Sequence, residues 1–470
     1  MPPRALRTAF LATLSALAGA CATDPAPIAA PTLGIGTSDT YVAALADAPR
    51  PGPEDLFWWR RFDDPALAEW VERALVGSPD IAIARERVIQ AQALLDGARA
   101  RRSPVIGAQL RSALGSRGAG SRGSDPRASL ALDWDTDLWG GLRQAQRSAA
   151  AGVLRSTHLE QASRLAIAGI TARAVVEWRE ALADLAALAD ALALQNDVLA
   201  VARVRVEAGL SPRLDVERAQ AEVAAVEAEI ARAGIRSQQA RTALQVLAGE
   251  RPHAGANPPA GGGVAGSGEP ATAVPALRGA LPVGRPADLL RLRPDLRAAE
   301  EDLVAASAEV GVARAELLPR LGLQGTIGLA SDSGILDLVT ASIAALLDVA
   351  LFDGGERRAG IDAAESRARE AGQVYRQTLL QALEQIESAL VAAQGTEGEI
   401  EALERGIAAA HAAVAQARSL YSAGLSGLLD VLDARRTALA QHRQLLRARG
   451  DAARQAIAVF EAMGLIGESG

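Results

Sequence analysis

The chain has 470 residues, 49% of them apolar but only 3% aromatic, and a net charge of −7. That length holds about two to four ordinary domains. Charges of both signs are mixed throughout, which excludes a basic nucleic-acid footprint, and the single cysteine excludes a disulfide within the chain. His158, His253, His411 and His442 are scattered without metal-ligand spacing, and no phosphate-binding glycine loop or nucleophile elbow is present. The sequence therefore points to no metal, no cofactor and no enzyme.

At the N-terminus, Arg4 and Arg7 precede an apolar run from Ala9 to Ala18, followed by Gly19-Ala20-Cys21. This reads as a signal peptide over residues 1–20. Two processing routes fit it. Cleavage before Cys21 frees a thiol that takes lipid; ordinary cleavage after Ala22 uses Ala20-x-Ala22. Either route exports the chain, and Ala22 in place of an aspartate after the cysteine favours sorting to the outer membrane. No later segment offers about 20 consecutive strongly apolar residues, so no transmembrane helix is expected. Residues 21–69 form an N-terminal segment in which Trp58, Trp59 and Phe62 are expected to pack on the trunk.

The rest of the chain is written twice. "AGLSPRLDV" (Ala208 to Val216) and "AGLSGLLDV" (Ala423 to Val431) agree at seven of nine positions, 215 residues apart. Pro79-Asp80 and Pro294-Asp295, Pro104 and Pro319, and Gln109 and Gln324 share that offset. Several landmarks at one offset indicate a tandem duplication. Repeat 1 spans residues 70–251 and repeat 2 spans 287–470; a Pro/Gly-rich linker, 252–286, joins them.

Each repeat opens with a helix, over Pro79 to Arg102 and Pro294 to Leu318, which Pro104 or Pro319 ends. The period then switches to two, giving strands at about 104–115, 128–138, 319–330 and 343–352. Ile106, Ala108 and Leu110 oppose Gly107, Gln109 and Arg111; Leu130, Leu132, Trp134 and Leu138 oppose Ala131, Asp133, Asp135 and Asp137. In repeat 2, Leu321, Leu323, Ile327 and Leu329 oppose Arg320, Gly322, Gln324 and Thr326, while Leu347, Val349 and Leu351 oppose Asp348 and Ala350. The polar stretches between strands, "GSRGAGSRGSDPR" and "ASDSGILDLVT", read as loops.

A long helical tract follows in each repeat, on the order of 100 Å at 1.5 Å per residue. Leu185, Leu188, Leu192 and Leu199 step by threes and fours, with Gln195 filling one place; Leu432, Leu439, Leu446, Ala453 and Phe460 recur every seven. Only the repeated nine-residue stretch breaks the tract, so each copy is the tip of a helical hairpin, at residues 208–215 and 423–430.

Four amphipathic strands cannot span lipid as an open sheet, because every unpaired edge group costs several kcal/mol there. They are also too few to close a barrel alone, for which about 8 is the minimum. Chains must share one. A lipid-anchored periplasmic coiled-coil scaffold or adaptor has the same helices and anchor, but no use for strands with an apolar exterior.

The chain resembles the outer membrane factor lipoproteins, the outer-membrane channels of tripartite efflux systems. The resemblance rests on "FWWRRFDDPALAEWVERAL", "LDWDTDLWGGLR", "GLSPRLDVERAQAEV", "LPVGRPADLLRLRPDLRAAEEDL", "ALFDGGERRAG" and "YSAGLSGLLDVLDARRTAL". It implies a mainly α protomer with a small transmembrane β part. It also implies a homotrimer whose twelve-stranded barrel is continued by a periplasmic helical barrel, and a periplasmic adaptor and an inner-membrane efflux pump as partners.

By the family pattern, Asp430 and Asp433 in "LDVLDARR" match acidic positions lining a closed periplasmic entrance, and Tyr421 matches an aromatic in the lock between hairpins. The spacing of three puts both carboxylates on one helix face, six in a trimer. Asp215 shares the repeated turn. For it, and for Asp430, the alternative is stabilisation of a helix start by about 0.3–1 kcal/mol, with Ser211 and Ser426 as the caps. Ser426 stands where some relatives carry an arginine linked to the Asp215 position, so that link is either absent here or made differently, by Arg213 or Arg435. Asp133, Asp135, Asp137, Arg320 and Gln324 are expected on the barrel lumen. Trp134, Trp139 and Phe352 fit interfacial anchors.

Overall fold

A computed structural model of the protein describes residues 49–117, 121–252, 273–286, 289–330 and 338–467. Cys21 and the expected signal peptide lie outside the described residues. A 3-10 segment, Pro53–Arg61, leads into α1 (Pro65–Gly77) and α2 (Pro79–Ala100). Then come β1 (Val105–Arg117), β2 (Ser121–Asp135), α3 (Gly141–Glu207) and α4 (Arg213–Leu247). After the short α5 (Leu289–Leu292), the same order returns: α6 (Pro294–Ala315), β3 (Arg320–Ala330), β4 (Leu338–Asp348), α7 (Glu356–Ser422) and α8 (Leu428–Met463).

The two successions match in length. Helices α2 and α6 both have 22 residues, and α3 and α7 both have 67. Proline fixes the starts of α1, α2 and α6, where its missing N–H is no loss, and Pro104 and Pro319 follow the ends of α2 and α6. The compact units do not follow the two repeats. Each gathers segments from both, and α3 and α7 contribute to both units.

The first unit takes in 85–159 and 295–379. Its centre is an antiparallel four-stranded sheet in the order β1-β2-β3-β4. Two strand boundaries differ from the sequence expectation. Strand β2 starts at Ser121 instead of about 128, because Arg117 pairs with Ser121 and the supposed loop is backbone-paired almost to its turn. Strand β4 runs over Leu338–Asp348 instead of 343–352. Arg320, the first residue of β3, pairs with Asp348, so nothing is left to pair with Val349, Leu351 or Phe352. Helix α6 packs on α7 through Val310, Ala364 and Ala368. It also meets α3 at Gly311, where an added Cβ would lie 2.8 Å from Gln144 Cγ.

The second unit takes in the described residues of 36–84, 160–294 and 380–470. Trp58 stacks on Phe460 at 5.5 Å between centroids, and Trp59 meets Trp58 edge-on at 5.6 Å. All three are essentially buried. The heptad positions Leu188, Leu199, Leu432, Leu446, Ala453 and Phe460 are buried as the periodicity requires. Against the expectation of no membrane-length apolar helix, α3 holds an 18-residue window of mean hydropathy 1.4. Of that window 28% is buried; in the same helix Leu188, Leu199 and Ala202 are buried and serve helix packing. Next to Phe460, Glu461 pairs with Arg173 and lies over Gly169; burial pushes its carboxyl up against the downward pull of the arginine.

Backbones approach closely where α1 and α4 end. A Cβ on Gly77 would lie 2.2 Å from the Ala248 carbonyl oxygen, and one on Gly249 would lie 2.1 Å from that of Gly77. Gly249 also sits at φ +74°, which side chains disfavour. Gly249→Ala is therefore expected to destabilise the protein by about 2–4 kcal/mol, left-handed strain and overpacking combined. Circular-dichroism melting in detergent measures this. Gly234→Ala, inside α4 where an added Cβ meets nothing within 4 Å, is the control and should melt at or slightly above the parent, since alanine favours a helix interior by about 0.5–1 kcal/mol.

Candidate functional site

Register sorts the sheet into two faces, because residues directly opposite across an antiparallel ladder share one. Leu132 lies opposite Ile106 and Gly325, Leu130 opposite Ala108 and Ile327, and Ile343 opposite Gly325. With Leu110, Val339 and Leu347 they make a continuous apolar face. That face is open: Leu110 is 85% and Ile343 89% exposed. An apolar surface of this extent on a sheet with two free edge strands, β1 and β4, marks an unfinished interface.

The other face is mostly polar or small, with Val105 and Leu346 as its large apolar members. Asp133 pairs with Gln324, Asp135 with Gly322, Thr326 with Ser342, and Arg320 with Asp348. The Thr326 and Ser342 hydroxyls are 2.6 Å apart. Asp133, Asp135, Arg320 and Gln324 are all exposed, so four of the five residues expected on this face are brought together. Asp348 joins them as the cross-strand partner of Arg320.

Asp137 is the exception. It lies past the end of β2 at φ +47°, and its carboxylate accepts from the backbone N–H groups of Leu142 (2.7 Å) and Arg143 (2.9 Å). It therefore caps α3, where an anion offsets the helix dipole, and leaves the polar face. Asp353 does the same before α7: the Gly355 N–H, at 2.9 Å, holds its carboxyl below the ordinary range. Trp134 and Trp139 donate their indole N–H groups to the carbonyls of Arg102 (2.9 Å) and Pro319 (2.6 Å), pinning both helix-to-strand corners.

At the hairpin tips the chain turns on Gly209 (φ +71°) and Gly424 (φ +77°). The caps of α4 and α8 are Pro212 and Gly427, not Ser211 and Ser426, which stand one residue too early. Asp430 reaches back to the Gly427 N–H at 3.2 Å, so its dipole-stabilising contact is present. Asp433 is exposed one turn along the same face, near the Arg436 guanidinium. Asp215 is half-buried in the first turn of α4. Tyr421 is 5% exposed in a cluster with Val198, Leu199, Ala219, Leu428, Val431 and Leu432, so this cluster joins both hairpins.

One further residue holds the tips together, and the sequence reading missed it. Arg205, in the last turn of α3, donates from Nη1 to the Tyr421 carbonyl at 2.9 Å and from Nε to Ser211 Oγ at 3.2 Å. Its guanidinium lies 4.8 Å from the centre of the Tyr421 ring. Arg213 does not make the link, since its partner is Glu217 in its own helix. Arg435 ties the hairpins at another point, donating to the Leu194 carbonyl instead of to Asp215. Further along, Arg436 pairs with Glu222, and Arg443 with Asp184 (2.7 Å) and Glu229 (2.7 Å). The only local signal for Arg205 is that the 215-residue offset puts Leu420 in its place in the second copy.

A sequence profile described as outer membrane efflux protein matches residues 70–250 and 286–465. The chain is 30% identical to nodulation protein T of Rhizobium leguminosarum bv. trifolii, over 83% of this chain and 84% of the relative. It is also 30% identical to the solvent efflux pump outer membrane protein SrpC of Pseudomonas putida, over 86% of both chains. Among solved structures, the outer-membrane channel OprN superposes with a TM-score of 0.80 at 30% identity, over 91% of this chain and 97% of that one.

Proposed function

We propose that this chain, which belongs to the outer membrane efflux protein family, shares one twelve-stranded barrel among three copies and is gated at its helix tips. It is an outer-membrane exit duct for efflux. The observation that carries the shared barrel is the sheet itself: four strands, an exposed apolar face and two free edges. In lipid each edge group left unpaired costs several kcal/mol, and joining β1 of one copy to β4 of the next removes every edge. The apolar face then meets lipid, and Asp133, Asp135, Arg320, Gln324 and Asp348 line water. The duct is passive: a periplasmic adaptor and an inner-membrane pump deliver the substrate, and lipid on Cys21 adds a second anchor.

At the tips, three copies bring six carboxylates, from Asp430 and Asp433, around one aperture. Tyr421 and Asp215 belong to the packing that holds this aperture closed. Like charges gathered at one opening attract cations and repel anions. The Asp430→Ala/Asp433→Ala double variant is expected to raise planar-bilayer current several-fold and weaken cation preference. Currents and selectivity equal to those of the parent would remove both residues from the gate.

A further inference from the structure

The corner where α2 ends, β2 ends and α3 begins carries more positive charge than the pore needs. By register Trp134, opposite Leu323, is the last residue of β2 on the apolar face. Its indole donates to the Arg102 carbonyl at 2.9 Å, which fixes the chain just past α2 at the rim of that face. Arg102 is exposed and donates from Nη1 to Gln146 Oε1 of α3 at 2.8 Å. Arg143, Gln146 and Arg147 are spaced three and four residues from Arg143, so they share one side of α3. Arg143 and Arg147 are exposed as well.

Little balances these three arginines. Asp137 lies 3.8 Å from Arg143 Nε, but its two oxygens already accept from the backbone of Leu142 and Arg143. Asp135 accepts from the Asp137 N–H at 3.0 Å. Among the described residues no carboxylate pairs with Arg102 or Arg147. The first turn of α3 holds no acidic residue, whereas that of α7 begins with Glu356. Arg143, in that first turn, stands against the helix dipole, so helix stability does not account for it. Leu138, in the connection between β2 and α3, is exposed and adds apolar surface beside the charge.

We infer that this corner binds the phosphate of an anionic phospholipid, whose acyl chains run along the apolar face beyond Trp134. The inference rests on the reading of that face as the one that meets lipid. A phosphodiester offers charged oxygens to guanidinium donors, and basic residues beside a membrane span favour anionic headgroups. A zwitterionic headgroup would bring its own ammonium into a corner that is already cationic. Free phosphate would match the donors but leave the apolar rim uncovered.

The full chain is exchanged in detergent against phosphatidylglycerol or phosphatidylethanolamine, and bound lipid is counted by native mass spectrometry. The expected result is retention of phosphatidylglycerol about tenfold above phosphatidylethanolamine, undiminished by inorganic phosphate at equal concentration. An Arg102→Gln/Arg147→Gln double variant should lose that preference, at about fivefold per arginine, whereas Arg213→Gln at the hairpin tip should keep it. The headgroup comparison on the unaltered protein decides the matter even where the double variant misfolds. Equal retention of the two lipids, displacement by inorganic phosphate, or full preference in a folded double variant would each overturn the assignment. The assembly mass in the same spectra separates two failures. Three chains without headgroup preference would end this assignment alone, and a single chain that needs no detergent would end the barrel on which it rests.

Discussion

Replacing Arg205 by alanine is expected to raise pore conductance in planar bilayers by about tenfold or more. The tie it removes is a hydrogen bond from a guanidinium to the Tyr421 carbonyl at 2.9 Å, with a cation–π contact at 4.8 Å. A charge-assisted hydrogen bond contributes about 1.5–3 kcal/mol, and every 1.4 kcal/mol is about a factor of ten in the opening equilibrium. Three copies opening together compound the effect. The cluster around Tyr421 keeps its apolar packing in the variant, so the protein should still assemble and melt near the parent temperature. Arg213→Ala, at a position 86% exposed and paired only within its helix, should leave the current unchanged. Equal currents in the two variants would show that Arg205 does not hold the tips.

The second large effect concerns folding. Asp64 and Arg179 are a buried pair, bound through both guanidinium edges at 2.6 and 2.8 Å, with side chains 5% and 7% exposed. Asp64 also caps α1, accepting from the Ala66 N–H at 2.9 Å. Removing Asp64 takes from the buried Arg179 the carboxylate that holds both guanidinium edges, at about 3–5 kcal/mol. Asp64→Ala adds the lost cap, about 1 kcal/mol. The variant is expected to lose its resistance to protease in detergent at temperatures the parent withstands. Asp64→Asn keeps an acceptor for the cap and should be nearly as damaging, because the carboxylate charge, more than the cap, balances Arg179. An Asp64→Leu/Arg179→Met double variant should recover most of the loss, since apolar side chains need no counterion. Failure of that recovery would assign the damage to the cap.

These two sites differ in how far the sequence alone disclosed them. Duplication was legible because one offset aligned prolines, glycines and both tips, and the paired helices of 22 and 67 residues follow from it. The faces of the sheet were legible because a period of two needs no partner to be read. Strand ends were not, since pairing sets them: Ser121 is a strand residue only because Arg117 lies opposite, and Leu351 is not one because β3 begins at Arg320. Asp137 continued the alternation of β2 on paper, yet its backbone had already turned to cap α3. Ser211 and Ser426 resembled caps by type, but the helices start one residue later. Arg205 sits in a final helical turn, where an arginine is ordinary. Its importance comes from Tyr421, which folding brings to it from 216 residues away.

Sharing of the barrel is tested most directly by the mass of the assembled protein. The mature chain with Cys21→Ser, which cannot be lipidated, should still fractionate with the outer membrane and need detergent for release. Native mass spectrometry of the extract should show three chains, stable until heated. A single chain that stays soluble in buffer without detergent would contradict the barrel, and the efflux duct with it.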